Sequence, residues 1–285
     1  MQENCDIIRD NVNVDGRTEK KRETMSKLKN GIPANSIKII AACLMLIDHI
    51  AAFLIYPKLA NGGFEDYYFW NDLYWSMRIV GRVAFPLFAF FVVEGKKYTK
   101  NPWKYIARLL GFAVISEIPF VLARKGHMRV VSGEFPYVSM TNVFFTMAIA
   151  LFAMILMDWL VKRISTMIFV LPVIYITVFV ADIVDCDYGL YGVLAMEAGY
   201  LVGKITDYMI SLGKMKEKEG QMAVIIAICT ILFFMNGIEK YVVFAIIPVL
   251  LYNGERGRGS KYFFYAFYPI HIMVLYAVKC LILQN

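Results

Sequence analysis

Residues 37–53 read IKIIAACLMLIDHIAAF, an oily run with Asp48 and His49 side by side near its end. A helix needs about 20 apolar residues to cross roughly 30 Å of hydrocarbon. Residues 36–56 supply such a run. A charged side chain at that depth costs roughly 2.5–3.5 kcal/mol on insertion scales. The segment therefore reads as a membrane span that carries a polar pair for a purpose.

The rest of the chain agrees. Of its 285 residues, 59% are hydrophobic and 15% aromatic, with a mean hydropathy of +0.55. A soluble domain is about 45–50% apolar. Apolar blocks recur at about 36–56, 75–95, 103–122, 138–160, 165–182, 188–209, 221–236, 239–252 and 262–283. The expected fold is all-α, a polytopic transmembrane helix bundle of about nine spans (eight to ten). The seventh and eighth are short, and form either two tilted spans or one re-entrant pair sheltered by protein.

Net charge is +7, but its distribution excludes nucleic acid as the reason. With the N-terminus in the cytoplasm, twenty Lys and Arg fall in cytoplasmic segments and five in external ones. That is the positive-inside bias. One external loop, with Arg124, Lys125 and Arg129, breaks it; His127 in the same loop carries no special signal. Residues 1–35 hold seven basic and six acidic residues and read as a disordered polar cytoplasmic tail. Asn35 or Ser36 is placed to cap the first helix. The five cysteines are scattered, with no C-x-x-C, so neither a disulfide framework nor a metal site is expected. No internal repeat of the transporter kind is visible.

Ionisable groups inside the spans carry the functional signal. Neighbouring helical residues diverge by about 100°, so Asp48 is expected to pair with a basic residue on another span rather than orient His49. In the second span, RIVGRVAFPLFAFFVVEG, Arg78 and Arg82 are four apart and share a face. They suit holding Asp48, stabilising an oxyanion or gripping an anion. Pro86 is expected to kink the helix just beyond them. In RLLGFAVISEIPF, Pro119 frees a carbonyl beside Glu117, which either complements Arg82, accepts a proton, or serves a structural salt bridge.

Asn142 and Thr146 form an i, i+4 pair suited to interhelical hydrogen bonds. In DCDYGLYGV, Asp187 reads as a helix N-cap. A carboxylate beside Tyr188 at an external mouth also suits binding an amine. Gly199 and Gly203 form a packing pair of the G-x-x-x-G kind. The last span, FYPIHIMVLY, places His271 mid-membrane after Pro269, with Tyr265 and Tyr268 near its face.

These motifs, in this order over roughly residues 36–280, resemble the TraX family, named for the conjugal-pilin N-acetylase. That family is in turn similar to type 3 acyltransferases and heparan-alpha-glucosaminide N-acetyltransferase. The resemblance implies a bacterial multi-pass cell-membrane protein, with residues 36–285 as the acyltransferase domain and acetyl-CoA as donor. It makes His49 the candidate catalytic histidine, matches Arg78 and Arg82 to an arginine-rich second element, and likens YPIHI to a closing Tyr–His signature.

The chemistry suits the residues. Acyl transfer needs a base for the acceptor amine or hydroxyl, and positive charge or donors for the oxyanion. His49 suits the base, or the acyl carrier. Arg82 suits the oxyanion, held by Asp48 or Glu117. Arg256 and Arg258 in NGERGRGSK, with Lys96, suit the donor's phosphates at a cytoplasmic mouth. The acceptor stays open among a peptide N-terminus, a glycan hydroxyl and a lipid-linked group. A proton-coupled transporter built on the same Asp, His, Arg and Glu groups is the alternative from another class.

Overall fold

The computed structural model describes residues 31–125, 140–164 and 167–283. Residues 1–30, which make up most of the expected tail, lie outside it. So do Arg129, His127 and the side chain of Lys125 from the external loop.

Among the described residues the protein is helical, with a single isolated bridge from Ile32 to Tyr252. We number the helices in chain order: α1 Ala34–Ile50, α2 Tyr56–Ala60, α3 Tyr67–Gly81, α4 Ala84–Tyr98, α5 Pro102–Lys125, α6 Val143–Ile164, α7 Val170–Val184, α8 Gly189–Ser211, α9 Glu217–Phe233, α10 Ile246–Leu250 and α11 Lys261–Leu283. Among the described residues, five stretches are long and apolar enough to cross a membrane: Ala34–Ala60, Tyr67–Tyr98, Pro102–Arg124, Val143–Arg163 and Tyr262–Ile282; Val170–Val184 is shorter. The burial pattern is that of a membrane protein. Asp48, Arg82, Glu117, Glu197 and Glu239 are buried, while Leu171, Tyr175, Ile176, Phe179 and Ile183 of α7 face outward.

Local irregularities have identifiable causes. Between α1 and α2 the chain passes through one π turn, Ala51–Ile55. Pro57 lacks the amide that would bond the carbonyl of Phe53, so the ladder there shifts to the wider spacing. The expected kink at Pro86 falls earlier, as a turn at Arg82–Val83 between α3 and α4. A proline ring clashes with the carbonyl four residues back, which is that of Arg82. Pro119 and Pro269 lie within unbroken helices.

The expected cap at Asn35 or Ser36 is not used. Helix α1 starts at Ala34 after Pro33, with no side-chain cap bond. The amides of Ala34 and Asn35 donate instead to the carbonyls of Glu255 and Arg256, at 2.8 and 3.0 Å. The loop 251–258 is thus clipped over the start of α1.

The region 221–252 divides unequally. Helix α9 is a full helix, opened by the Glu219 carboxylate accepting from the Lys216 amide at 2.8 Å. The following segment is a 3-10 turn, Glu239–Ala245, and then the five residues of α10. Pro248 denies the Phe244 carbonyl its helical partner, which is why the chain tightens before it. The segment folds back against α9. Gly199 of α8 meets α9 where a Cβ would come within 2.7 Å of Ile228, as its G-x-x-x-G spacing suggests.

Candidate functional site

Asp48 sits about 21 Å along α1 from Ala34, at 1.5 Å per residue. Its carboxylate bridges the two arginines of the α3 face: Arg78 Nη1 donates to Oδ2 at 2.5 Å and Arg82 Nη2 to Oδ1 at 2.6 Å. Gly81 makes this approach possible, since a Cβ there would lie 2.3 Å from the Asp48 Cβ. Arg82 goes on to donate through Nη1 to Glu239 at 2.9 Å and Tyr188 at 3.3 Å, and through Nε to the Arg78 carbonyl at 3.3 Å. All three of its nitrogens are engaged. Among the described residues, Arg78 uses only Nη1. The arginine with donors to spare is therefore Arg78, although the sequence had favoured Arg82 for an oxyanion.

His49 and His271 meet across α1 and α11. His49 Nδ1 lies 2.7 Å from His271 Nε2, and the rings are within 2° of parallel. His271 Nδ1 lies 2.8 Å from the carbonyl of Phe267. A carbonyl only accepts, so His271 carries its proton on Nδ1 and offers Nε2 as acceptor. His49 must then donate from Nδ1. Its own Nε2 is left unprotonated, with no hydrogen-bond partner among the described residues. The tautomer of a candidate base is thus set by a backbone carbonyl two steps away.

The Asp48–arginine cluster and His49 border a cavity of about 360 Å³, with Asp187 and Tyr188 also in its wall. A second cavity of about 130 Å³ lies toward the end where α1 begins, with Asn35, Lys38, Tyr105 and Arg256 in its wall. Met45, Phe88, Val143, Met147 and Tyr268 belong to both walls.

The remaining predicted residues divide. Tyr268 and Asp187 join the site. Glu117 does not reach Arg82: its carboxylate accepts from the Thr141 amide and hydroxyl at 3.1 and 2.7 Å, and from the Asn142 amide and side-chain nitrogen at 3.3 and 2.7 Å. Asn142 also donates to the Ala113 carbonyl and accepts from the Phe144 amide, so it caps α6 and ties it to α5. Thr146 donates to the carbonyl of Asp187.

Asp187 is not the N-cap of α8. That position falls to Tyr188, whose left-handed backbone (φ 60°) puts Asp187 outside the helix and on the cavity wall. Burial pushes the Asp187 carboxyl up to about 6, against the pull of Arg82 and Arg124.

Arg256 lines the smaller cavity, while the Arg258 carbonyl accepts from Asn35 at 3.0 Å. Lys96 lies elsewhere, in a polar pocket where it pairs with Asp158 beside Tyr200 and Lys204. Two site residues escaped the sequence reading. Glu239, 1% exposed, is disguised by adjacent Lys240 as a loop charge. Lys38 passes for a snorkelling residue, but lies over the Phe91 ring at 4.8 Å beside the smaller cavity.

The family pattern described as "TraX protein" matches residues 34–279. The chain is 30% identical over 258 residues to a protein named "Probable fimbrial assembly protein FimC, serogroup H1" from Dichelobacter nodosus, covering 86% of this chain and 95% of that one. No solved structure matches. The chain belongs to the TraX family.

Proposed function

For this member of the TraX family, we propose a multi-pass acetyltransferase of the cell membrane, with about nine spans and a cytoplasmic N-terminus. It moves an acetyl group from cytoplasmic acetyl-CoA to an amine or hydroxyl on an external or membrane-bound acceptor. The observation that carries this reading is the unprotonated Nε2 of His49, fixed in tautomer by His271 and bordering the larger of two abutting cavities.

The donor fits the smaller cavity by chemistry. Lys38 and Arg256 supply positive charge, and the Phe88, Phe91, Leu109 and Phe144 walls supply an apolar lining for a pantetheine arm. The acceptor belongs to the larger cavity, where Tyr56, Tyr74 and Tyr188 line the wall with Asp187. The relative's name as a fimbrial assembly protein favours a peptide amine among the acceptors. His49 Nε2 takes the proton from that amine as it attacks, a role worth about 10²–10⁴-fold in rate. Asp48, paired with two arginines, holds α1 against α3 and so fixes the depth of His49.

Purified protein in nanodiscs with labelled acetyl-CoA tests the reading. CoA release, or label retained on the protein, that disappears in His49→Ala supports it. A folded sample that binds no acetyl-CoA overturns it and favours proton-coupled transport by the same buried network.

A further inference from the structure

Four of the five N–H donors of Arg82 go to Asp48, Glu239, Tyr188 and the Arg78 carbonyl. Arg78 keeps donors to spare on the same cavity wall, and a second group near His49 is open to a developing oxyanion. The hydroxyl of Tyr268 is buried and has no hydrogen-bond partner among the described residues. The residue is 2% exposed. A buried polar group left unpaired is costly, so this one is placed for something that arrives.

Its position suits the acyl carbon. Tyr268 belongs to both cavity walls, and its ring stands edge-on to His49 with centroids 6.1 Å apart. The backbone amide of Val143, the first residue of α6, lies near the same hydroxyl. The 22-residue α6 begins at this point. Glu117 and Asn142 clamp that end in place.

We infer that the Tyr268 hydroxyl is the oxyanion donor of the transfer step, a catalytic residue. The inference rests on the acyl-transfer reading above. His49 Nε2 takes the proton of the acceptor N–H or O–H as that atom bonds to the thioester carbon. The carbonyl π pair moves onto its oxygen, which accepts the Tyr268 O–H. When the pair returns, the C–S bond breaks and the departing thiolate takes the proton back from His49. The products are the acetylated acceptor and free CoA thiol.

The test measures CoA thiol release in nanodiscs with acetyl-CoA and a synthetic peptide bearing a free N-terminal amine, for wild type and Tyr268→Phe. Loss of one oxyanion donor predicts a fall in kcat of about 10²–10³-fold with the KM for acetyl-CoA nearly unchanged. A kcat within about threefold of wild type, or a loss expressed wholly in KM, overturns the inference. Should Tyr268→Phe fold poorly, a polyfluorinated tyrosine at position 268 keeps size and hydroxyl but ionises at lower pH. Its kcat must then fall at alkaline pH where the wild type holds, and an unchanged profile overturns the inference. Wild type without CoA release removes the acyl-transfer reading and this inference together; an active wild type matched by Tyr268→Phe removes the inference alone.

Discussion

His49 Nδ1 lies 2.7 Å from His271 Nε2, and His271 is itself anchored through Nδ1 to the Phe267 carbonyl one helical turn earlier. The direction of both protons follows from that carbonyl. A histidine pair inside a membrane protein is thereby reduced to one positioned ring and one available lone pair. The π turn at Ala51–Ile55 begins two residues after His49. Such turns recur at functional sites because they redirect side chains within an otherwise regular helix.

The relay predicts that His271→Leu lowers kcat by about 10²–10⁴-fold, because His49 loses the acceptor that selects its tautomer. His271→Gln retains a side-chain oxygen able to accept from His49 Nδ1, and is expected to restore part of the rate. Steady-state kinetics of the two variants, with acetyl-CoA KM as control, check this. Equal activity of the two would show that the ring packs rather than positions.

Asp48 is 7% exposed and holds two arginines. Removing it leaves the buried Arg82 with Glu239 as its one carboxylate partner among the described residues, and breaking a buried pair costs about 3–5 kcal/mol. Asp48→Ala should therefore unfold well below wild type in a thermal scan. Gly81→Ala should destabilise by about 1–3 kcal/mol through the same contact, since the added methyl displaces Asp48. A double mutant whose loss equals the sum of the two would refute that shared origin.

Much of this was legible in the sequence. The pairing of Asp48 with arginines on another span follows from helical periodicity and from the cost of a lone charge in lipid. Other features depend on tertiary placement. Glu239 sits next to a lysine at the edge of an apolar block, and only the fold-back of its segment against α9 brings it to Arg82. Glu117 stayed open between a proton acceptor and a structural partner because its donors, Thr141 and Asn142, lie just before α6, far from it in sequence. The tautomer of His49 rests on a backbone carbonyl, which no residue pattern encodes.

Glu117 should behave as a structural clamp. Its four accepted bonds among the described residues come from Thr141 and Asn142, and three of those donors, the two backbone amides and the Asn142 side-chain nitrogen, cannot accept from the amide that Glu117→Gln introduces. An unsatisfied buried donor costs about 1–3 kcal/mol. The variant should lose thermal stability and slow turnover together, through a displaced α6 N-terminus. Normal stability with abolished proton transfer would instead make Glu117 a proton acceptor.

Asp187 gives a pH signature with a definite sign. Its native carboxyl is raised from 3.8 to about 6, chiefly by burial. Between those values the folded protein binds a proton that the unfolded chain has already released, so this group's contribution to stability is full below about pH 4 and is lost as pH rises through 6. Asp187→Asn removes the titration while keeping the shape. Its thermal midpoint relative to wild type should accordingly rise between pH 4 and pH 6 and level off above. The ionised carboxylate also stands on the wall of the cavity assigned to the acceptor. A cationic amine acceptor would therefore bind the wild type more tightly above pH 6, and lose that dependence in Asp187→Asn. Parallel stability curves for the two proteins across this range would mean that Asp187 is ionised throughout and that Arg82 and Arg124, not burial, dominate its setting.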